Sequence, residues 1–255
     1  MSILAGFADI SLGQLLLVAG VALLASIVGG LAGYGTGALM PLVLVPLIGA
    51  EPAVPIIAIS SIFTNLSRFV AYIRYIDGRR ALIVICAAAL TTALGAWGYT
   101  LLTNAGAALV IGTMLIASVP LRRLARRRDL RIADTGLAAG AVGYGVVVGG
   151  TVGAGVILLS LLMAAGLEGA AVIATDAMIS VGISIIKISV FGLAGVVTAQ
   201  VLAFALLIGA ISIPGAFLAR AFVERMPVHI HTGILDVAVI TGGVVMISAA
   251  MRALL

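Results

Sequence analysis

Ten apolar stretches separated by short polar turns make up most of the chain. They run roughly over residues 12–32, 37–50, 53–73, 81–102, 105–121, 135–152, 154–167, 170–192, 197–219 and 234–254. A membrane-spanning helix needs about 20 apolar residues, and the second and seventh stretches fall short of that length. Each of these two follows a glycine-rich turn, which is typical of broken or re-entrant helices in transporters. The pattern therefore predicts an all-α polytopic membrane protein of 8–10 helical segments.

The order of these features repeats along the chain. The two glycine-rich turns are Gly33-Tyr34-Gly35-Thr36-Gly37 and Gly149-Gly150-Thr151-Val152-Gly153-Ala154-Gly155. A shift of roughly 117 positions places Gly49-Ala50-Glu51 on Gly166-Leu167-Glu168. Such internal similarity indicates a duplication. We predict a first repeat over 1–121, a basic cytoplasmic linker over 122–134 and a second repeat over 135–255.

Basic residues predict how the segments are oriented. Eleven of the fourteen fall in three loops, listed as Arg74, Arg79 and Arg80; Arg122, Arg123, Arg126, Arg127, Arg128 and Arg131; and Arg220 with Arg225. The positive-inside rule places these loops in the cytoplasm. The count then puts both termini outside the inner (cytoplasmic) membrane, whether the short segments cross it or re-enter. Because five segments per half is an odd number, the two repeats have inverted topology.

Composition excludes a soluble domain. The chain is 63% hydrophobic and 9% charged, with a mean hydropathy of +1.34, whereas soluble domains carry about 25% charged residues. The sequence pI near 10.0 comes from loop arginines, so we expect a lipid bilayer and a small anionic solute as partners and no nucleic acid. A homo-oligomer is compatible with the sequence.

Signatures of catalysis and metal binding are missing from the sequence. Cys86 is the single cysteine, His229 and His231 have no cysteines near them, and nucleotide-binding or hydrolase motifs are absent. We therefore predict neither an enzyme nor a metal or cofactor site. An intramembrane enzyme would need a nucleophile or metal set, for which only Asp176 offers a starting point.

The glycine-rich turns are the first candidate site. Glycine lets a ligand approach the backbone closely, and the N-termini of broken helices offer N–H donors to anions. The predicted ligand-binding residues here are Gly33, Tyr34, Gly35, Thr36, Gly37, Gly150, Thr151 and Gly153. Helix packing is the alternative, because glycines repeat at four-residue spacing in both turns.

Polar residues within two apolar stretches form the second candidate. Asn65 and Arg68 share one helix face with Ser61 and Tyr72, and Thr64 lies beside that face. The other stretch carries Asp176, Ser180, Ser184 and Lys187 at spacings of four, four and three. An anion could bind Arg68 or Lys187, with Asp176 as a proton or coupling site. Snorkelling to the membrane surface is the alternative for both cations, and solvation near the end of its span is the alternative for Asp176.

Both glycine-rich turns resemble those of the TauE/SafE family of sulfite and organosulfonate exporters. The similarity is carried by residues 29–41, by residues 149–155 and by Ala174-Thr175, so Thr175 joins the predicted ligands. The resemblance implies a secondary transporter that exports sulfite or an organosulfonate such as sulfoacetate, working without ATP. An anion channel, or an importer of a related sulfur oxyanion, is the alternative.

Overall fold

The computed structural model describes residues 6–8, 10–32, 35–127, 131–222 and 228–254, which are helices and short connections without any strand. Ten α-helices follow in order: α1 Leu12–Ala32, α2 Thr36–Ile48, α3 Ala53–Ala71, α4 Gly78–Thr100, α5 Asn104–Arg127, α6 Asp134–Gly150, α7 Gly155–Ala164, α8 Ala170–Leu193, α9 Ala199–Phe222 and α10 Val228–Leu254. In the described part, five of them (α1, α3, α4, α5 and α8) are long and apolar enough to cross a membrane. The predicted all-α polytopic membrane fold is confirmed.

The last turns of α5 lie within the predicted basic linker, 122–134, because the helix continues to Arg127. Arginine, leucine and alanine are strong helix formers, and positive charge is favourable at a helix C-terminus. The arginines therefore end the apolar part of α5 without ending the helix.

Hydrogen bonds at the helix ends define two faces of the bundle. The ends of α3, α4, α6 and α8 meet at the face that carries Arg74, Arg79 and Arg80, which we call the basic face. There, the Asp77 amide donates to Thr175 Oγ1 at 3.0 Å, and Arg79 Nη2 lies 2.8 Å from Asp134 Oδ2. The opposite face has no arginine cluster among the described residues, and we call it the neutral face although Glu51 lies there beside Tyr99. It holds the other ends of α4 and α8, where the Tyr99 and Phe191 rings pack edge to face.

The first short helix belongs to a re-entrant hairpin. α1 begins at the neutral face, where Gly6 packs against Ala199 at the start of α9. The chain then turns back, so that Gly35 lies against the backbone of Ala25 and Gly29. α2 returns to the neutral face, where the Ala50 amide donates to Asn104 Oδ1 at 2.6 Å. With 13 residues, α2 is about 20 Å long, too short to cross a hydrocarbon core of about 30 Å.

The second short helix forms the matching hairpin from the other side. α6 begins at the basic face, and α7, with 10 residues, returns there. At that end, the Ile132 amide donates to the Ala164 carbonyl at 2.9 Å. The two hairpins therefore enter from opposite faces, and six helices (α3, α4, α5, α8, α9 and α10) run between the faces.

The contacts between helices are the same when the two halves are exchanged. If each helix is replaced by its equivalent in the other half (α1 by α6, α3 by α8, α4 by α9, and the reverse), the α1–α9 contact becomes α6–α4 and the α3–α9 contact becomes α8–α4. All four contacts are observed. The pairs α3–α8 and α5–α10 map onto themselves. In the first of these, Ser61 bonds Ser184 at 2.8 Å and Arg68 bonds Asp176, so the two helices run antiparallel. Equivalent helices that run in opposite directions are what inverted repeats require.

Glycines allow close helix contact between α4 and α6. A methyl group on Gly149 would lie 2.9 Å from the Ala96 nitrogen and would collide with the Thr92 carbonyl oxygen. Helices in lipid associate largely through such close packing, because burial from water no longer drives them together. The glycine rows at four-residue spacing thus serve packing on this side of α6.

We expect Gly149→Ala to lower the free energy of unfolding by about 1–3 kcal/mol, because the added methyl overpacks the α4–α6 contact. Gly143→Ala is the matched control, since Gly143 lies on the same helix and has no atom within 4 Å of the added methyl. Thermal unfolding in detergent would measure both variants. Equal midpoints for the two would contradict this account of the contact.

Candidate functional site

A cavity of about 130 Å³ lies where the two hairpins meet. Its wall combines the first residues of α2 and α7, one face of α3, one face of α8 and the last turns of α6. Of the predicted ligands, those on the wall are Gly35, Thr36, Gly37, Asn65, Arg68, Thr151, Gly153, Asp176, Ser180, Ser184 and Lys187. The fold therefore brings together residues from both glycine-rich turns and both polar stripes.

The N-termini of both short helices open onto this cavity. Neither Gly35, which precedes α2, nor Ala154, which precedes α7, has a side-chain cap. The first N–H groups of a helix have no partner within it, and the helix dipole places partial positive charge there. Two such ends at one cavity form an environment suited to an anion.

The two turns touch each other at Gly37 and Gly153. A methyl group on Gly37 would lie 3.0 Å from the Gly153 nitrogen, and Gly153 itself has a φ of +82°. A side chain at either position would separate the hairpins or strain the backbone. Glycine is thus required here for both close approach and conformation.

Arg68 reaches across the cavity wall to the second half of the protein. Its Nη2 donates to Asp176 Oδ2 at 2.8 Å, and its Nη1 donates to Asn65 Oδ1 at 3.0 Å. The side chain is 4% exposed, so the snorkelling alternative does not describe Arg68. Sequence reasoning missed this partner of Asp176, which joins α3 to α8.

Lys187 lies at the break between α6 and α7. Its Nζ donates to the carbonyl oxygens of Val148 at 2.7 Å and Thr151 at 3.0 Å. These carbonyls belong to the C-terminal end of α6, where a cation is favoured. Lys187 is buried. Its amino group therefore bonds the carbonyls at the end of α6 and does not extend to the membrane surface.

Several buried polar atoms around the cavity have no hydrogen-bond partner among the described residues: Thr64 Oγ1, Arg68 Nε, Thr151 Oγ1 and Asp176 Oδ1. Buried polar atoms in folded proteins are nearly always paired. All four belong to residues on the cavity wall. The cavity therefore offers unused donors and acceptors to a polar solute.

Tyr144 on α6 is the main cavity residue that sequence reasoning missed. It is buried and lies on the same cavity wall as Asp176 and Lys187. A tyrosine within a glycine-rich apolar helix was the available signal, because a buried hydroxyl needs a partner. Ser61 and Thr64 also line the wall, although their helix face was predicted to be polar without naming them as ligands.

Two predicted ligands lie beside the cavity instead of on its wall. Gly150 packs against the backbone of Gly95, and Thr175 accepts its hydrogen bond from the Asp77 amide. Gly33 and Tyr34 lie outside the described residues, as do the side chains of His229 and His231.

Comparison with known proteins identifies the family. The family model described as "Sulfite exporter TauE/SafE" matches residues 18–246, which is nearly the whole chain and includes both hairpins. No curated protein and no solved structure matches the chain. The predicted resemblance is confirmed, and the chain belongs to the TauE/SafE family of sulfite-exporter membrane transporters.

Proposed function

We propose that this protein is a secondary transporter that carries a small sulfur-containing anion, such as sulfite or sulfoacetate, out of the cytoplasm by alternating access. The anion would bind in the cavity between the hairpins, against the N-termini of α2 and α7. We further propose that the basic face is cytoplasmic and that both termini lie outside the inner membrane, following the positive-inside rule.

The meeting of two half-helix N-termini in one cavity carries this proposal. Each hairpin enters from a different face, so movement of one would open the cavity to one side at a time. The charges also favour an anion. Asp176 compensates Arg68 at 2.8 Å, while Lys187 has no carboxylate partner among the described residues. An anion supplies the missing negative charge and accepts N–H donors.

Transport in proteoliposomes would test the proposal. Purified protein would be reconstituted with labelled sulfite or sulfoacetate inside, and counterflow would be measured against unlabelled anion. Saturable exchange supports a transporter. Absence of flux for every sulfur oxyanion and sulfonate tested would contradict the proposed substrate class, and ion currents far above transporter turnover would instead indicate a channel.

The unpaired cavity hydroxyls give a second test. We expect the double variant with Thr64→Val and Thr151→Val to weaken sulfoacetate binding by roughly tenfold, because each lost hydrogen bond contributes about 0.5–1.5 kcal/mol. Thr92→Val is the matched control, since Thr92 is also buried with an unpaired hydroxyl but lies off the cavity wall. Isothermal titration calorimetry in detergent would measure the sulfoacetate affinity of the double variant and of the control. If the double variant binds sulfoacetate as tightly as Thr92→Val does, these two hydroxyls are not ligands.

A further inference from the structure

We infer that Lys187 is a proton-binding site whose occupancy is coupled to the anion, so that each anion crosses the membrane with one proton on Lys187. This inference rests on the proposed transport function and specifies its coupling ion. It is carried by the hydrogen bonds of the Lys187 amino group, by the charges around it and by its position at a helix break.

The amino group uses two hydrogen bonds within the protein. Its acceptors are the carbonyl oxygens of Val148 at 2.7 Å and Thr151 at 3.0 Å. A neutral amine has two N–H groups and one lone pair, whereas an ammonium has three N–H groups. The third position of Nζ therefore belongs either to a lone pair or to a third N–H, and Lys187 lies on the cavity wall. An anion oxygen in the cavity is the natural acceptor for that third N–H.

Charge balance links the proton to the anion. A buried ammonium without a counter-ion is costly in a membrane protein. The surrounding helices and the α3–α4 connection carry these charged and titratable groups: Arg68 on α3; Asp134 and Tyr144 on α6; Asp176 on α8; Arg79, Arg80, Cys86 and Tyr99 on α4; and Tyr72, Arg74, Tyr75 and Asp77 between α3 and α4; α7 has none. Asp77 and Asp134 pair with Arg79 and Arg80 at the basic face. Among the described residues, the cavity wall has two acidic or basic groups besides Lys187, namely Arg68 and Asp176, and these two pair with each other. The transported anion is thus the counter-ion that an ammonium at Lys187 requires.

Distance separates Lys187 from Asp176, the one carboxylate among the described residues of the cavity wall. Asp176 lies eleven residues earlier on α8, which is about 16 Å along the helix axis. At that range the Asp176 charge, already paired with Arg68, cannot serve as a direct partner for Lys187. The coupling therefore depends on the solute and not on a fixed ion pair.

The helix break is also the place where this class of fold binds coupling cations. Unwound carbonyls and half-helix C-terminal ends coordinate coupling ions in transporters with inverted repeats. Here the carbonyls at the end of α6 are bonded by the Lys187 amino group. The lysine amino group thus takes the place of a coupling cation, and it is positively charged only when it is protonated.

In the proposed transport step, one anion and one proton cross the membrane together. A proton from the aqueous side binds the Nζ lone pair, and the new N–H donates to an anion oxygen. On release, the anion leaves and the proton returns to water on the opposite side. For a dianion, the moving complex carries one net negative charge, so an inside-negative membrane potential drives it outward. For a monoanion, the step is electroneutral.

Lysine-specific labelling tests the inference directly, because Lys187 is the only lysine in the chain. Protein with ¹⁵Nζ-labelled lysine would be titrated by NMR in detergent, with and without sulfoacetate, whose acidic groups stay ionised over the pH range used. We expect sulfoacetate to move the deprotonation of Nζ to higher pH. The affinity for sulfoacetate should fall about tenfold per pH unit where the free protein loses this proton, as linkage of one proton to one anion requires.

The Lys187→Arg variant keeps a permanent positive charge at the same place. It should bind sulfoacetate with no pH dependence over this range and move it without protons, measured with a pH-sensitive dye trapped in proteoliposomes. Arg79→Gln is the control, since the Arg79 side chain is 81% exposed on the basic face. It should retain proton movement.

Two outcomes separate the two proposals. Absence of sulfoacetate binding and flux, with no other sulfur anion taking its place, overturns the proposed function. Saturable flux without proton movement, together with an Nζ signal that sulfoacetate leaves unchanged, overturns the coupling inference alone. If the arginine variant does not fold, the wild-type NMR titration and dye measurement still decide between coupling and a permanently charged Lys187.

Discussion

Arg68→Ala is expected to lower the free energy of unfolding by about 3–5 kcal/mol and to abolish transport. The substitution leaves Asp176, which is 1% exposed, as a buried carboxylate without its partner, and an unpaired buried charge is strongly destabilising. It also removes a guanidinium from the cavity wall. The Nε of that group has no hydrogen-bond partner among the described residues. Unfolding in detergent would measure the first effect and proteoliposome flux the second.

A double variant separates stability from function. Arg68→Met combined with Asp176→Leu removes both charges and keeps similar volume, so most of the lost stability should return, because a buried ion pair can be replaced by apolar residues at little cost. Transport should remain lost. If the double variant is as unstable as Arg68→Ala, the ion pair is not what the single substitution damages. If either variant transports normally, Arg68 has no place in the anion site.

Gly153→Ala should reduce transport at least tenfold while costing only about 1–2 kcal/mol in stability. The cost arises because an alanine at a φ of +82° is strained. Relief of that strain would shift the turn where Gly153 meets Gly37, which changes the direction of the N–H groups at the start of α7. Misplacement of binding groups by about 1 Å can reduce activity by two orders of magnitude.

Gly166→Ala provides the control for backbone strain. Gly166 has a φ of +89°, and a methyl group there would have no neighbour within 4 Å. Both variants should therefore lose similar stability, measured by thermal unfolding, and only Gly153→Ala should lose flux. Equal loss of flux in the two would mean that strain alone, and not the contact between the hairpins, explains the defect.

The sequence was sufficient to predict the helices and the two short segments after glycine-rich turns, because both depend on local patterns, but it left open whether those segments cross the membrane or re-enter. Apolar length defines the long helices, and glycine-rich turns before α2 and α7 define where the chain reverses. The polar faces of α3 and α8 also follow from helical spacing, as Arg68 and Lys187 show. The residues 1–121 and 135–255 remain the predicted limits of the two repeats.

The partners of those polar side chains could not be predicted, because they depend on packing between distant helices. Arg68 and Asp176 lie 108 positions apart, and a single sequence carries no sign that α3 crosses α8 at that level. Lys187 binds backbone carbonyls, which every residue possesses, so its acceptors have no sequence signature. Thr175 shows the same limit, since its buried hydroxyl accepts from the backbone of the α3–α4 connection.

The separation between Arg68 and Asp176 also has a consequence for synthesis of the protein. At roughly 5–20 residues per second, α8 leaves the ribosome about 5–20 s after α3. During this interval α3, with Arg68 in its last turn, has no carboxylate partner for that charge, and a lone charge in the bilayer is costly. We therefore expect α3 to enter the bilayer late, together with α8, and a nascent chain that stops before Asp176 to leave α3 accessible to aqueous labelling reagents.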